Sequence, residues 1–312
     1  MIATVGEVVR EAAARLRQSG SETALLDAEL LLGHALHVER ASVLAYPEAQ
    51  VGPAQQAAFE AAVIRRAAGE PVAYIRGTKE FYGLAFMVDD RALIPRPETE
   101  LLVDLGLARL SRVLSGAPRP AGAPPLVVWD VGTGSGAIAV ALAVLARRRG
   151  YGQEARFVAT DVSADALALA TENSVGHGVA DVIEFAPADL FDWPGRPDAV
   201  DVVVANLPYV PSAVVPELPI AASFEPVVAL DGGADGLEIL RELIGELGSV
   251  LDEPGAALLE IGSDQADAVL GLAAHLLPGW LALIHADLSG RPRVVEIGRP
   301  TGRRGRSLTG RE

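Results

Sequence analysis

The chain has 312 residues, of which 50% are hydrophobic, with a formal net charge of −15 and no cysteine. This length suffices for an α/β domain together with a smaller one, and the lack of cysteine excludes a disulfide framework or a thiolate zinc site. The acidic balance is unsuited to general binding of phosphate backbones, so we expect no direct nucleic-acid partner.

No apolar run reaches the roughly 18 residues of a membrane-spanning helix. Residues 1–9 lack the basic start and long apolar core of a signal peptide. We therefore expect a cytoplasmic protein without a membrane partner. The histidines are scattered, and although His34 and His37 share a helical face, we interpret them as surface or packing residues and expect no metal site.

The N-terminal region has the apolar periodicity of helices. The predicted helices are 4–18, about 21–37 and 53–68. Ser21 is a plausible N-cap of the second helix, and Pro53 suits the first turn of the third. We interpret residues 1–72 as a small helical domain.

Residues 73–95 form a predicted connector that contains a hairpin or extended segment at 80–88. Arg96 follows, held in an extended conformation by a proline on each side. A helix with acidic residues at its start is then predicted to run to about Leu114.

Beyond residue 126, strands and helices alternate, which predicts a parallel sheet with helices on both faces. The predicted strands are 126–131, 155–160, 182–186, 200–205, 256–261, 281–286 and 293–298, and the predicted helices are 137–147, 163–174, 235–250 and 264–276. The last two strands are joined by a short link, which requires an antiparallel hairpin. We assign residues 96–300 to this domain and expect the Arg- and Gly-containing tail 301–312 to be disordered.

A glycine-rich turn follows the first strand of this domain and reads Gly132-Thr133-Gly134-Ser135-Gly136. Glycines at such a turn let a ligand approach the backbone closely. The next strand ends in Asp161, whose carboxylate is placed to hold both hydroxyls of a ribose. Asp189 and Asn206 also follow predicted strands, where open α/β sheets bind their ligands.

Two ligands compete for this turn. With Ala137 the turn also passes a loose dinucleotide fingerprint. However, Asp130 just before the glycines would repel a pyrophosphate, whereas an adenosine-sulfonium ligand has no phosphate and carries an amino group that suits an acid. We therefore favour S-adenosylmethionine over NAD.

The turn Asn206-Leu207-Pro208-Tyr209 follows a buried strand and makes a small polar slot. The Asn206 amide oxygen and the Leu207 carbonyl accept hydrogen bonds, Pro208 stiffens the turn, and Tyr209 offers a ring for stacking. Such a slot fits an NH2 group on a planar amide or base and indicates chemistry on nitrogen.

Over about residues 5–299 the chain resembles the PrmC/HemK family, protein-(glutamine-N5) methyltransferases of peptide chain release factors. The residues that carry the resemblance are Gly69-Glu70-Pro71 with Glu80-Phe81, Leu93-Ile94-Pro95-Arg96-Pro97-Glu98-Thr99-Glu100, the glycine-rich turn, the Asn206 turn, Phe224-Glu225-Pro226, Ala229-Leu230-Asp231-Gly232-Gly233 and Gly236-Leu237. The block around Arg96 is the most specific of these.

The resemblance implies an α/β fold of the class I S-adenosylmethionine-dependent methyltransferases: a Rossmann-like seven-stranded sheet with an antiparallel last strand, plus a small N-terminal helical bundle. It implies methyl transfer from S-adenosylmethionine to the glutamine amide of a release factor's Gly-Gly-Gln loop, in support of translation termination. We expect a monomer whose N-terminal helices grip the release factor.

The family also suggests roles for individual residues. Gly132, Thr133, Gly134, Ser135 and Gly136 would shape the methionine and ribose pocket. Asp189 would meet the adenine amino group with Leu190 against the ring, the alternative being a helix cap or turn residue. Asp130 would contact the methionine ammonium directly or through water. Arg96 and Glu98 would lie near the cofactor or the substrate loop; the alternative is a structural ion pair that holds the connector.

For the transfer itself, Asn206 Oδ1 and the Leu207 carbonyl would accept the two N–H bonds of the substrate amide, and Tyr209 would pack along the glutamine side chain. Leu207 stands where the family usually has proline. The resulting Asn-Leu-Pro-Tyr turn resembles that of rRNA adenine dimethylases, so rRNA adenine-N6 methylation remains an alternative, as do methylation of another protein glutamine and a non-catalytic binding module.

Overall fold

The computed structural model of the protein describes residues 3–115 and 122–300. Its N-terminal region consists of helices packed around one apolar core. They are α1 (Val5–Gln18), α2 (Ala24–Leu36), α3 (Arg40–Ala45), α4 (Pro53–Ala67) and α5 (Val72–Arg76). The three predicted helices are confirmed. The short helices α3 and α5 were not predicted, because a stretch of five or six residues is too short to show helical periodicity.

The start of α2 differs from the prediction. Ser21 is not its N-cap, since the helix begins at Ala24. The hydroxyls of Ser21 and Thr23 instead donate to the buried carboxylate of Asp27, at 2.7 and 2.8 Å. Arg66 Nε from α4 completes this cluster at 2.7 Å, so the two hydroxyls satisfy a buried charge rather than the helix end.

The predicted connector begins within α5 and continues as the antiparallel hairpin of β1 (Thr78–Phe81) and β2 (Leu84–Met87). Tyr82 and Gly83 form its two-residue turn with φ of 53° and 67°, as type I′ hairpin turns require. A single 3₁₀ turn at Pro97–Thr99 leads into α6 (Glu100–Leu114). The predicted hairpin and helix are confirmed.

The larger domain is built on a seven-stranded sheet of order β5-β4-β3-β6-β7-β9-β8. Its strands are β3 (Leu126–Val131), β4 (Ala155–Asp161), β5 (Ile183–Pro187), β6 (Val200–Ala205), β7 (Leu251–Glu260), β8 (Leu281–Ala286) and β9 (Pro292–Gly298). Neighbouring strands from β5 to β7 are parallel, and β9 is antiparallel to both β7 and β8. The antiparallel last strand is as predicted.

Helices cover both faces of the sheet. They are α7 (Ala137–Arg148), α8 (Ala164–Gly176), α9 (Glu238–Val250) and α10 (Ala266–Leu276). One apolar core includes side chains of α6 and α7, and the opposite core includes those of α9 and α10. None of the helices in the described ranges is long and apolar enough to cross a membrane.

Two stretches depart from the prediction. Strand β7 begins at Leu251 instead of residue 256, because Asp252-Glu253-Pro254-Gly255 reads as a turn in the sequence. The long link from β6 to α9 contains the 3₁₀ turns Val215–Glu217, Ile220–Phe224 and Val227–Ala229. These turns were not predicted, because segments of three to five residues are too short to show a helical periodicity in the sequence. The expected disordered tail 301–312 lies outside the described residues.

Candidate active site

A cavity of about 370 Å³ opens at the carboxyl ends of β3, β4 and β6, where open α/β sheets bind ligands. Several residues predicted from the sequence line it: Gly132, Gly134, Asp161, Asp189, Leu190, Asn206, Leu207 and Pro208. Others do not line it: Asp130, Thr133, Ser135, Gly136, Tyr209 and Arg96. The glycine-rich turn and the Asn206 turn, the two halves of the predicted site, therefore meet in one cavity. The predicted residues that do not line it are neighbours of those that do, apart from Arg96.

The glycine-rich turn is shaped by positive backbone φ and by close neighbours. Gly132 has φ of 71°, and a Cβ there would lie 2.7 Å from Leu207 Cδ2. Gly136 has φ of 79°, and a Cβ there would lie 2.9 Å from the Cβ of Ala170 on α8. Side chains at these positions would be strained and would meet the slot or the helix, which explains the glycines physically.

Asp161 connects the glycine-rich turn to the end of β4. Its Oδ2 accepts from Gly134 N at 2.8 Å and its Oδ1 from Ser163 N at 2.9 Å. Burial raises the pKa of this carboxyl, and the backbone hydrogen bonds oppose the rise. Asp161 lines the cavity, and a carboxylate is an acceptor of the kind that ribose hydroxyls require.

Asp130 lies beneath the turn and is 1% exposed. Its Oδ2 accepts from Thr133 Oγ1 at 2.7 Å and from Ala139 N at 3.1 Å. Its buried Oδ1 has no hydrogen-bond partner within 3–115 and 122–300. Burial raises the pKa of Asp130 to about 7. The carboxyl thus holds the turn in place, and the predicted contact with a methionine ammonium remains a prediction that would use Oδ1.

The far end of the cavity combines the exposed carboxylates of Asp189 and Glu242 with apolar walls. Asp189 is exposed at the cavity wall. Leu190 beside it is buried with φ of 49°, a backbone conformation uncommon for leucine and often found where a ligand is held. Val162 and Ile239, which sequence reasoning did not single out, also line the cavity. Apolar walls with a carboxylate acceptor suit a flat base that carries an amino group.

Asn206 presents its amide at the cavity wall, one residue beyond the paired Ala205 and Leu259 of β6 and β7. Its Nδ2 donates to Thr99 Oγ1 at 3.1 Å. Its Oδ1 has no hydrogen-bond partner among the described residues and is therefore available to a ligand. The amide is held by its donor end and offers its acceptor end, as the slot prediction requires.

Tyr209 differs from the expected stacking residue. Its side chain is largely buried and does not line the cavity. Burial, together with the negative charge of Glu260, raises the pKa of its phenol. Its backbone carbonyl accepts from Gln265 Nε2 at 3.0 Å, which ties the turn to the segment before α10. In this structure Tyr209 supports the turn, and its packing along a substrate remains a prediction.

Arg96 forms the ion pair that was the alternative reading of this residue. Its Nη2 lies 2.5 Å from Glu225 Oε1. The Glu225 carboxylate is buried and also accepts from Ile94 N at 3.3 Å. This pair joins the segment before α6 to the loop over the cavity, and direct contact of Arg96 with a substrate remains a prediction.

Known proteins match along almost the whole chain. Residues 7–77 match the family model described as "PrmC N-terminal domain", and residues 128–232 match one described as "Methyltransferase domain". The chain is 40% identical to the release factor glutamine methyltransferase of Moorella thermoacetica, over 93% of this chain and 96% of that protein. It is 36% identical to the release factor glutamine methyltransferase of Deinococcus radiodurans, over 95% of this chain and 99% of that protein.

Among the solved structures with a similar fold is the hMettl16 catalytic domain in complex with MAT2A 3'UTR hairpin 6. It is 15% identical, with a TM-score of 0.52, over 76% of this chain and 81% of that chain. Together with the strand order and the antiparallel β9, this likeness confirms the class I S-adenosylmethionine-dependent methyltransferase fold.

Proposed function

This chain belongs to the release factor glutamine methyltransferase family, and we propose that it methylates the glutamine of the Gly-Gly-Gln motif in peptide chain release factors. The methyl group goes from S-adenosylmethionine to the side-chain amide nitrogen. The chain is accordingly an S-adenosylmethionine-dependent methyltransferase, and its product supports translation termination.

The observation that carries the proposal is the Asn206 amide, held by Thr99 with its oxygen free at the cavity wall. A primary amide offers two N–H bonds on a planar nitrogen, and Asn206 Oδ1 with the Leu207 carbonyl supplies two acceptors. Leu207 provides this carbonyl as well as proline would, so the departure at this position leaves the slot's acceptors intact.

The cavity also fits the methyl donor. Its charged residues, within the part of the chain that the structure describes, are the acids Asp161, Asp189 and Glu242 and the base Arg91. Arg91 is engaged by Asp89 and Glu172, with contacts of 2.8 to 2.9 Å, so among the described residues no free cation on the wall is available for a pyrophosphate. S-adenosylmethionine, when bound, supplies a methyl group on a positively charged sulfonium. An acidic wall stabilises such a cation and disfavours a dinucleotide.

The slot acts by positioning. An amide nitrogen is a poor nucleophile because its lone pair is delocalised, so the nitrogen must be aimed at the methyl carbon. Two accepted hydrogen bonds orient the nitrogen and stabilise the positive charge that develops on it. As the N–C bond forms and the S–C bond breaks, one N–H proton becomes acidic and leaves to water. No strong base is needed in the slot before transfer.

We further propose a division of labour along the chain. Residues 1–72 recognise the release factor, residues 73–95 connect the two domains, and residues 96–300 catalyse the methyl transfer. The match of residues 7–77 to the PrmC N-terminal model supports the first part. The net charge of −15 supports a protein substrate over a nucleic acid. We propose that the enzyme works as a monomer in the cytoplasm.

The test is the intact mass of a purified release factor after incubation with this protein and S-adenosylmethionine, followed by fragment mapping. We expect one added methyl group on the Gly-Gly-Gln glutamine. A release factor with that glutamine replaced by glutamate is the matched control and should gain none. No methylation of the glutamine, with cofactor binding confirmed, would contradict the proposal. Methyl transfer to ribosomal subunits instead would favour the adenine alternative.

A further inference from the structure

Asn173 lies on α8, is 2% exposed and has no part in the steps above. Its side-chain amide hydrogen-bonds to the backbone of two distant segments. Its Oδ1 accepts from Met87 N at 2.7 Å, and its Nδ2 donates to Met87 O at 3.0 Å and to Ser135 O at 2.9 Å. One buried side chain thus joins strand β2 of the connector to the glycine-rich turn.

The connector itself forms part of the cavity. A few residues after the end of β2, Arg91, Ala92 and Leu93 line the cavity wall. A Cβ on Gly134 would lie 3.9 Å from the Cβ of Ala92, so the connector and the glycine-rich turn are in contact distance there. The shape of the cavity therefore depends on how the connector is docked against the glycine-rich turn.

Helix α8 supports both segments. Three residues before Asn173, Ala170 packs against the glycine-rich turn, since a Cβ on Gly136 would lie 2.9 Å from the Ala170 Cβ. Four residues after Asn173, His177 Nε2 lies 2.9 Å from Ala85 O of β2. Residues three and four apart are neighbours on a helix surface. These three residues of α8 therefore form one continuous contact, with Asn173 at its centre bound to both segments.

We propose that Asn173 is a positioning residue of the methyl-donor site: it fixes the connector against the glycine-rich turn, so that tight binding of S-adenosylmethionine requires a docked connector. A primary amide suits this task because it accepts through its oxygen and donates through two N–H bonds. Without the amide, both Met87 groups and Ser135 O lose a hydrogen-bond partner, and this cost favours an undocked connector whose groups bind water. The inference concerns the methyl donor and does not depend on which nitrogen is methylated.

A second hydrogen bond holds the connector from the side of the N-terminal helices. Tyr74 of α5 is buried, and its hydroxyl donates to Ala92 O at 2.8 Å. Ala92 lies in the cavity wall, so this bond fixes the part of the connector that faces the methyl donor. Tyr74→Phe removes only the hydroxyl and therefore tests the docking of the connector independently of Asn173.

Donor affinity is measured by calorimetry with S-adenosylhomocysteine, the donor without its methyl group. Asn173→Ala should bind on the order of tenfold more weakly than the wild-type protein, and Tyr74→Phe several-fold more weakly. Val269→Ala is the control, because it removes buried apolar contact in the core on the other face of the sheet, to which the connector does not belong, and it should bind normally. Normal affinity in Asn173→Ala would overturn the proposal. If Asn173→Ala does not fold, normal affinity in Tyr74→Phe would do so.

Hydrogen exchange gives a readout that a merely structural role would not change. A ligand that binds only the docked state stabilises that state. In the wild-type protein, S-adenosylhomocysteine should therefore slow exchange of the β1–β2 amides several-fold more than exchange of the β8–β9 amides, which lie at one edge of the large sheet.

The same measurement without ligand compares the two proteins. The β1–β2 amides of Asn173→Ala should exchange faster than those of the wild-type protein, by a larger factor than the β8–β9 amides do. Equal exchange of the β1–β2 amides in the two proteins would overturn the proposal. Equal slowing of both hairpins by ligand in the wild-type protein would overturn it without any variant. Neither measurement uses a release factor, so a failure of the proposed function would leave both results unchanged.

Discussion

Arg96 Nη2 lies 2.5 Å from Oε1 of Glu225, so one ion pair joins the proline-flanked segment before α6 to the loop over the cavity. The side chain of Arg96 is 41% exposed, but that of Glu225 is only 2% exposed. The next residue, Pro226, lines the cavity. The pair therefore anchors a cavity wall to a segment more than a hundred residues away in sequence.

Arg96→Ala should lower the free energy of unfolding by about 1–3 kcal/mol, because it leaves a buried carboxylate without its cation. The exposure of Arg96 keeps the expected loss toward the lower end. Urea unfolding measures it. Adding Glu225→Gln to Arg96→Ala should restore part of the loss, since the unpaired charge is then removed.

Arg241→Ala is the matched control for this pair. Arg241 is 40% exposed, close to the value for Arg96, but its partner Asp235 is 51% exposed. Exposed pairs contribute about 0–1 kcal/mol. Equal losses in Arg96→Ala and Arg241→Ala would show that burial of Glu225 does not matter.

Gly132→Ala should weaken cofactor binding as well as folding. At φ of 71° an alanine is strained, and its Cβ would lie 2.7 Å from Leu207 Cδ2. Gly150→Ala has the same kind of strain, with φ of 83°, but no neighbour within 4 Å. Both variants should lose about 1–2 kcal/mol of stability. Only Gly132→Ala should also lose affinity for S-adenosylmethionine in calorimetry. Equal affinities in the two variants would contradict the close packing of turn and slot.

Asp161→Ala should weaken S-adenosylmethionine binding by about tenfold or more, since it removes the carboxylate that we propose accepts from the ribose hydroxyls and releases Gly134 N from its hydrogen bond. Asp165→Ala, an exposed change in the first turn of α8, is the control and should bind normally. Isothermal titration calorimetry compares them. Normal affinity in Asp161→Ala would remove this carboxylate from the cofactor site.

The stability difference between Asp130→Asn and the wild-type protein should depend on pH. Burial raises the pKa of Asp130 from 3.8 to about 7 in the folded state. Between these values the folded protein binds more protons than the unfolded chain, so this group removes stability as the pH rises. Asparagine does not ionise. The variant should therefore gain stability relative to wild type from about pH 4 to 7 and level off above, as measured by urea unfolding at several pH values. A difference independent of pH would contradict the raised pKa.

Local patterns predicted most of the fold. The alternation of apolar runs and helical stretches after Leu126 gave the strands and their flanking helices, and the short link before Pro292 gave the antiparallel β9. These features depend on neighbours in sequence. Strand β7 was placed too late because Pro254 and Gly255 suggested a turn, and the sheet pairing that includes Leu251 is not visible in one sequence.

The cavity wall was predicted in the same way, because strand ends collect at one edge of a parallel sheet. The role of Thr99 had no such signal, since its contact with Asn206 spans 107 residues. The wall formed by Pro226 and Val228 comes from irregular turns, whose course depends on tertiary contacts such as the Arg96–Glu225 pair.

The central claim is that the Asn206 slot aims a glutamine amide at the methyl group. It is tested most directly by single-turnover methylation of a release factor by Asn206→Ala, with cofactor occupancy measured in the same sample. We expect the rate to fall by about 100-fold or more, while S-adenosylmethionine binding weakens only modestly. An unchanged rate at full cofactor occupancy would contradict the slot and the mechanism built on it.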